Sequence, residues 1–173
     1  MMVHKGGMHG HCIRMWPDEV RDNSVCADTT AIDIVSRALS DELDGLEPKD
    51  RRFAAEWVDL NDDGQDELVV MLLSSYFCGS GGCTWYIFHG DGSVLTRGTV
   101  AGYPFYVGEP GVDDYRTLYI RSGGAYHTME FSEGSYPTNP SVEPSIQLFS
   151  NPSFTRANVA RLLETAGVVS CSF

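Results

Sequence analysis

The sequence predicts an α+β domain, an antiparallel sheet of about six to seven strands flanked by an N-terminal and a C-terminal helix. Three observations predict it. Apolar residues recur at steps of three and four from Thr29, whereas beyond Pro48 the period shortens to two. The segments of this later stretch are joined by Gly-, Asp- and Ser-rich connections too short for the crossovers that parallel strands need. No linker long enough to divide two domains interrupts the 173 residues, about one domain's length. We therefore expect a flexible leader over residues 1–25 and a single domain over 26–173.

The elements follow in order. Ile32, Val35, Leu39 and Leu43 form one stripe of an amphipathic helix, capped by Thr29 or Thr30 and stopped by Gly45. Asp41, Glu42 and Asp44 sit at its expected C-terminal turn, where the helix dipole disfavours anions. Beyond Pro48, the alternation of Phe53, Ala55 and Trp57 marks a half-buried strand. Glu67–Phe77 reads as a long central strand. Thr84–Phe88 and Ser93–Val100 flank the turn His89-Gly90-Asp91-Gly92. Phe105–Val107, Tyr115–Arg121 and Ala125–Phe131 continue the series. Pro137, Pro140, Pro144 and Pro152 then break regular structure, and Phe154–Ala166 reads as the closing helix, stopped by Gly167.

Composition excludes several classes. The longest apolar run is six residues, Leu68–Leu73, against the roughly 18 of a membrane span. The chain carries 24 Asp and Glu against 12 Lys and Arg, only two of them lysine, for a formal charge of −12. Such a surface repels phosphate backbones and argues against nucleic acid. It suits a cation or a basic protein partner, and equally a salt-adapted host.

The loop Asp59-Leu60-Asn61-Asp62-Asp63-Gly64-Gln65-Asp66-Glu67 carries the first candidate site. Numbered from Asp59, oxygen side chains fall at positions 1, 3, 5 and 9, with glycine at 6 and a backbone carbonyl at 7. Calcium takes six to eight hard oxygen donors, which alternate residues of a tightly coiled loop supply. Position 12 is Val70 rather than the bidentate glutamate of an EF-hand, and the flanks read as strands, so an EF-hand is rejected. The loop resembles the strand–loop–strand calcium motif of FG-GAP repeats, here in a single copy. That resemblance implies Asp59, Asn61, Asp63 and Glu67 as side-chain ligands of Ca2+ and Gln65 through its carbonyl. The alternative is an Asx-rich turn that binds nothing.

The second is Cys78-Gly79-Ser80-Gly81-Gly82-Cys83. A lone C-x4-C pair lacks the second pair that zinc sites use, whereas a glycine-rich reversal can bring Cys78 and Cys83 within disulfide reach. A disulfide implies an oxidising compartment, so we expect a periplasmic or secreted protein, although Met1–Met15 lacks the apolar stretch of an export signal. Of the remaining cysteines, we pair Cys26 with Cys171 and leave Cys12 single. A cross-linked loop of Gly79, Ser80, Gly81 and Gly82 is a narrow, preorganised finger suited to entering a cleft. In form it is similar to the C-x4-C loop that Ivy-type lysozyme inhibitors push into an active site. The alternative is a plain hairpin staple.

No catalytic set emerges. Cys78-Gly-Ser and Cys83-Thr-Trp85 are spaced two residues too far for the papain-like signature. His89 and His127 do not form a dyad with a nucleophile, and G-x-S-x-G is absent. Taken with Trp57-Val-Asp-Leu-Asn-Asp-Asp-Gly, Tyr103-Pro-Phe-Tyr-Val, Asp114-Tyr-Arg-Thr-Leu-Tyr and Tyr136-Pro, the two loops resemble small bacterial envelope proteins over about 53–137. That resemblance implies export and a compact domain. The reading that follows is a non-catalytic inhibitor or immunity protein that blocks a cell-wall hydrolase or toxin. The alternative is a calcium-stabilised envelope module binding a glycan or other envelope component through aromatics such as Tyr103, Phe105, Tyr106, Tyr115, Tyr119 and Tyr126.

Overall fold

A computed structural model describes residues 28–150, 160–162 and 171–173. The expected leader, Cys12 and Cys26 lie outside the described residues, and so does the expected Cys26–Cys171 pairing.

Helix α1 spans Thr29–Ala38. Its cap is Asp28, one residue before the expected threonines. One carboxylate oxygen of Asp28 accepts from the Ala31 N–H at 2.9 Å and the other from the Trp57 indole at 2.6 Å. The same side chain thus starts the helix and ties it to the first strand. The helix ends earlier than expected, and a separate 3-10 turn covers Leu43–Gly45. Asp41, Glu42 and Asp44 therefore follow the α-helix instead of lying in its last turn.

Among the described residues ten strands follow: β1 Arg52–Val58, β2 Glu67–Leu72, β3 Cys78–Gly79, β4 Gly82–Phe88, β5 Val94–Pro110, β6 Arg116–Ser122, β7 Ala125–Met129, β8 Ser145–Ile146, β9 Ala160–Leu162 and β10 Cys171–Ser172. Eight lie along one hydrogen-bonded path, β10-β1-β2-β4-β5-β6-β7-β8, with β3 on β4 and β9 on β5. The named strand pairs are all antiparallel, as short connections require.

Strand β5 divides the architecture. Its first half pairs with β4, its second with β6 and β9. Ala54, Val69, Met71, Trp85 and Ile87 from one side pack against Phe105, Val107, Leu118, Ile120 and Met129 from the other. On the opposite face of the first sheet, Phe53, Leu68, Val70, Leu72 and Phe88 receive Ala31, Ile34, Val35 and Leu39 of α1. β2 is buried on both faces, which is why it reads as an unbroken apolar run rather than an alternation.

Three expectations are corrected. The strand from Glu67 stops at Leu72, because the Ser74 carbonyl accepts from the Phe77 and Cys78 N–H groups (3.0 and 2.9 Å) and turns the chain. Ser93–Val100 and Phe105–Val107 belong to one strand, β5. The expected C-terminal helix is absent where it can be seen: Ala160–Leu162 is a strand paired with Val107, Tyr106 and Phe105. The N–H and C=O groups on that side of β5 need partners, and pairing there outweighs local helix preference. The rest of Phe154–Ala166 lies outside the described residues. One α-helix, not a flanking pair, is present among the described residues. None is long and apolar enough to cross a membrane.

Candidate functional site

The two candidate loops lie at opposite ends of β2, so the fold separates them. At one end the β1–β2 loop meets the start of β6, where the Arg116 N–H donates to the Leu60 carbonyl at 2.7 Å. At the other the β3–β4 hairpin meets the bend of β5 at Val100 and Ala101, and Ser122, at the start of the β6–β7 turn, donates to the Val100 carbonyl.

The acidic loop is ordered by its own oxygens. Asp59 accepts from the Asn61 and Gly64 N–H groups at 3.3 and 2.8 Å. Asn61 accepts from Asp63 N–H at 3.1 Å, and Asp63 from Gln65 N–H at 2.7 Å. Asp62 and Gly64 take positive φ values of 58° and 85°, which coil the loop. Glu67 is only 3% exposed, and its carboxylate accepts from the Leu60 N–H at 2.9 Å. Burial pushes the Glu67 carboxyl above the ordinary glutamate range. The Leu60 N–H pulls the other way, and the negative charges of Asp63, Asp59 and Asp66 push it up further.

Sequence reasoning missed the frame around this loop. Arg116 grips both oxygens of Asp62 (2.8 and 3.1 Å) and reaches the Gly108 carbonyl at 3.3 Å. The Tyr136 hydroxyl donates to the Arg116 carbonyl at 2.6 Å. Burial, then the charge of Glu67, holds the Tyr136 phenol far above the ordinary tyrosine range. Tyr115 stacks on Phe131 at 3.9 Å, and burial holds its phenol above the ordinary tyrosine range. Among the described residues no three His, Cys, Asp or Glu side chains gather closely enough to hold a metal ion. The oxygens named above serve the loop's own N–H groups, though each carboxylate keeps lone pairs beyond those bonds.

At the other end Cys78 and Cys83 form a disulfide, with Cα atoms 3.9 Å apart. They stand directly opposite each other across β3 and β4, and the Thr84 N–H donates to the Phe77 carbonyl beside them. The reversal is tighter than its six residues suggest, because Gly79 and Gly82 also pair and only Ser80 and Gly81 form the turn. Gly79, Ser80 and Gly81 are exposed, whereas Gly82 is half-buried. A Cβ on Gly79 would meet nothing within 4 Å; one on Gly81 would touch the Val100 side chain at 3.0 Å. Gly82, at φ 130°, lies so close to Val100 and Ala101 that a Cβ would come within 2.5 Å of backbone. The finger thus leans on β5 along one side and is open along the other.

Tyr76, two residues before Cys78, is 57% exposed, with its ring edge-on to Phe77 at 4.9 Å. No sequence signal distinguished Tyr76, which the expected strand Glu67–Phe77 placed in its interior. Of the aromatics considered for glycan contact, Phe105, Tyr106 and Tyr119 are buried, and Tyr103 and Tyr115 pack partly against the core. Comparison of the chain with family models, curated proteins and solved structures finds no match.

Proposed function

We propose that this chain is a non-catalytic binding protein of an oxidising compartment, periplasmic or secreted, that blocks a basic cell-wall hydrolase or toxin with its stapled turn. One observation carries the reading: Gly79 and the Ser80-Gly81 turn make an exposed, side-chain-poor hairpin tip, cross-linked at its base and open on its Gly79 side. A turn already fixed before contact loses little conformational entropy on entering a cleft. Tyr76, two residues before the staple, is exposed and of a residue type enriched among interface hot spots. The charge of −12 supplies long-range attraction to a basic partner and speeds encounter.

The test is lysis of peptidoglycan by c-type, g-type and i-type lysozymes with the oxidised chain in stoichiometric excess. We expect inhibition of at least one. Gly79→Arg is the clean probe, because that position has open space whereas Gly81 does not. It should weaken inhibition by about tenfold or more, as loss of an interface hot spot does, with the melting temperature nearly unchanged. Unimpaired lysis by all three enzymes overturns the reading.

The buried Glu67 among Asp59, Asp63 and Asp66 favours a second reading, a Ca2+ ion in the acidic loop. Asp59, Asn61, Asp63 and Glu67 would supply side-chain oxygens and Gln65 its carbonyl, offsetting the mutual repulsion of the carboxylates. At about 100 times its dissociation constant, calcium should add roughly 2.7 kcal/mol of stability. Chelator should reverse the gain, and Asp63→Asn should diminish it. An identical melting curve with calcium and with chelator removes this reading without touching the first.

A further inference from the structure

The stapled turn does not stand alone. Val100, against which it leans, has a φ of 54°. A β-branched side chain rarely adopts this left-handed conformation, and such outliers persist where the surroundings hold them in place. Three neighbours hold this one. The register between β4 and β5 passes from Cys83↔Ala101 to Trp85↔Gly98, so Thr99 and Val100 together oppose Thr84, a β-bulge. Gly82 closes on Val100 from the disulfide side, at a distance only glycine permits. From the other side the Ser122 hydroxyl donates to the Val100 carbonyl at 2.6 Å.

Ser122 opens the β6–β7 turn, whose Gly123 and Gly124 have φ values of 57° and 85° and open space where a side chain would stand. Both glycines are exposed. Val100 therefore joins two side-chain-poor turns that lie some forty residues apart in sequence. Charge distribution sets this end apart. Residues 73–84, 99–104 and 121–125 contain no Asp or Glu in a chain that has 24, and Arg121 is their one charged residue. The acidic loop alone, Asp59–Glu67, holds five carboxylates.

We infer that these three segments form one docking tip, which a hydrolase cleft grips through the main-chain amides of both glycine turns. The inference rests on the reading of the stapled turn as the blocking element. It adds the second turn, Gly123-Gly124, and the chemistry of the partner. The cleft must offer hydrogen-bonding groups to a polypeptide backbone rather than a cationic pocket for carboxylates. The acidic residues act at a distance, on the rate of encounter. Val100 and Ser122 are positioning residues that fix the two turns relative to each other.

The experiment measures binding of the oxidised full chain to the same immobilised c-, g- and i-type lysozymes. Three variants are compared: Gly79→Arg, Gly123→Asn and Gly134→Asn. Asparagine tolerates positive φ, so Gly123→Asn adds a side chain without forcing the backbone. Gly134→Asn makes the same change in the Ser132–Ser135 turn, which follows the far end of β7. Gly79→Arg and Gly123→Asn should each weaken binding by about tenfold or more, and Gly134→Asn by less than about twofold. Raising salt should slow association and leave dissociation nearly unchanged. If Gly79→Arg loses binding while Gly123→Asn binds like the wild type, the composite tip is wrong and the single stapled turn stands. Dissociation that accelerates steeply with salt also overturns the tip, since charged contacts would then hold the complex. Failure of the wild type to bind any of the three enzymes instead overturns the underlying reading.

Discussion

The two ends of the sheet meet the same demand, a sharp reversal beside the buried strand β2, by opposite chemistry. At the acidic end carboxylate and amide oxygens of Asp59, Asn61, Asp63 and Glu67 collect backbone N–H groups, at the cost of crowding like charges around a buried side chain. At the stapled end a covalent bond and close glycine packing do the ordering, with no carboxylate in the turn. The difference separates what each end responds to. Protonation and cations act on the first, thiol reductants on the second. It also leaves the stapled turn free of carboxylates that a contact would have to desolvate.

The largest expected effect breaks the acidic end. Glu67→Ala removes the acceptor for the buried Leu60 N–H and leaves a small cavity. An unpaired buried donor and the lost packing together cost about 3 kcal/mol. The melting temperature should fall by roughly 6–12 °C. Glu67→Gln keeps an acceptor and should lose less than half as much. Equal losses for the two variants would mean that the Leu60 bond does not order the loop.

Breaking the other end should cost less. Cys78→Ala with Cys83→Ala removes a crosslink that closes only a short ring, worth about 2 kcal/mol of chain entropy. Calorimetry should show a drop of roughly 4–8 °C. Because the two ends share no hydrogen-bonding partners, Glu67→Ala combined with the cysteine variants should give a sum of the separate losses, within about 0.5 kcal/mol. A combined loss well short of that sum would show the ends coupled through β2.

Both reversals were legible in the sequence because their chemistry is local. Gly at 64 and at 79, 81 and 82, the oxygen side chains around the first and the cysteines around the second each act on neighbours a few residues away. The apolar run of β2 likewise reports burial directly. The alternation of Phe53, Ala55 and Trp57 marks only one face of β1, because Ala54 on the other face is buried too. What could not be read depends on partners distant in sequence. Nothing in the residue type valine announces a φ of 54° at position 100; the bulge there is imposed by Gly82 and Ser122. Ala160–Leu162 is a strand because β5 presents an edge, which is a property of residues 105–107 rather than of its own composition. Tyr76 and Tyr136 were indistinguishable as tyrosines, yet one is largely exposed and the other fully buried.

The smallest expected effect sharpens the comparison by its pH dependence. Tyr136→Phe deletes one hydrogen bond, to the Arg116 carbonyl, and should cost about 1 kcal/mol at pH 8. The folded state holds the phenol proton more tightly than the unfolded chain does, where the ordinary value is 10.0. As pH rises past that value the unfolded chain loses the proton first, so the stability linked to this group is full below about 10 and is lost above it. Urea unfolding between about pH 8 and pH 10.5 should therefore show the wild type declining faster than Tyr136→Phe, with the gap between them closing. The gap between the wild type and the double cysteine variant should stay constant over the same range, since a disulfide carries no titrating proton. Parallel curves for the tyrosine variant would show the phenol to be solvated, and the acidic end would then owe its order to the loop oxygens without the frame of Arg116 and Tyr136 behind them.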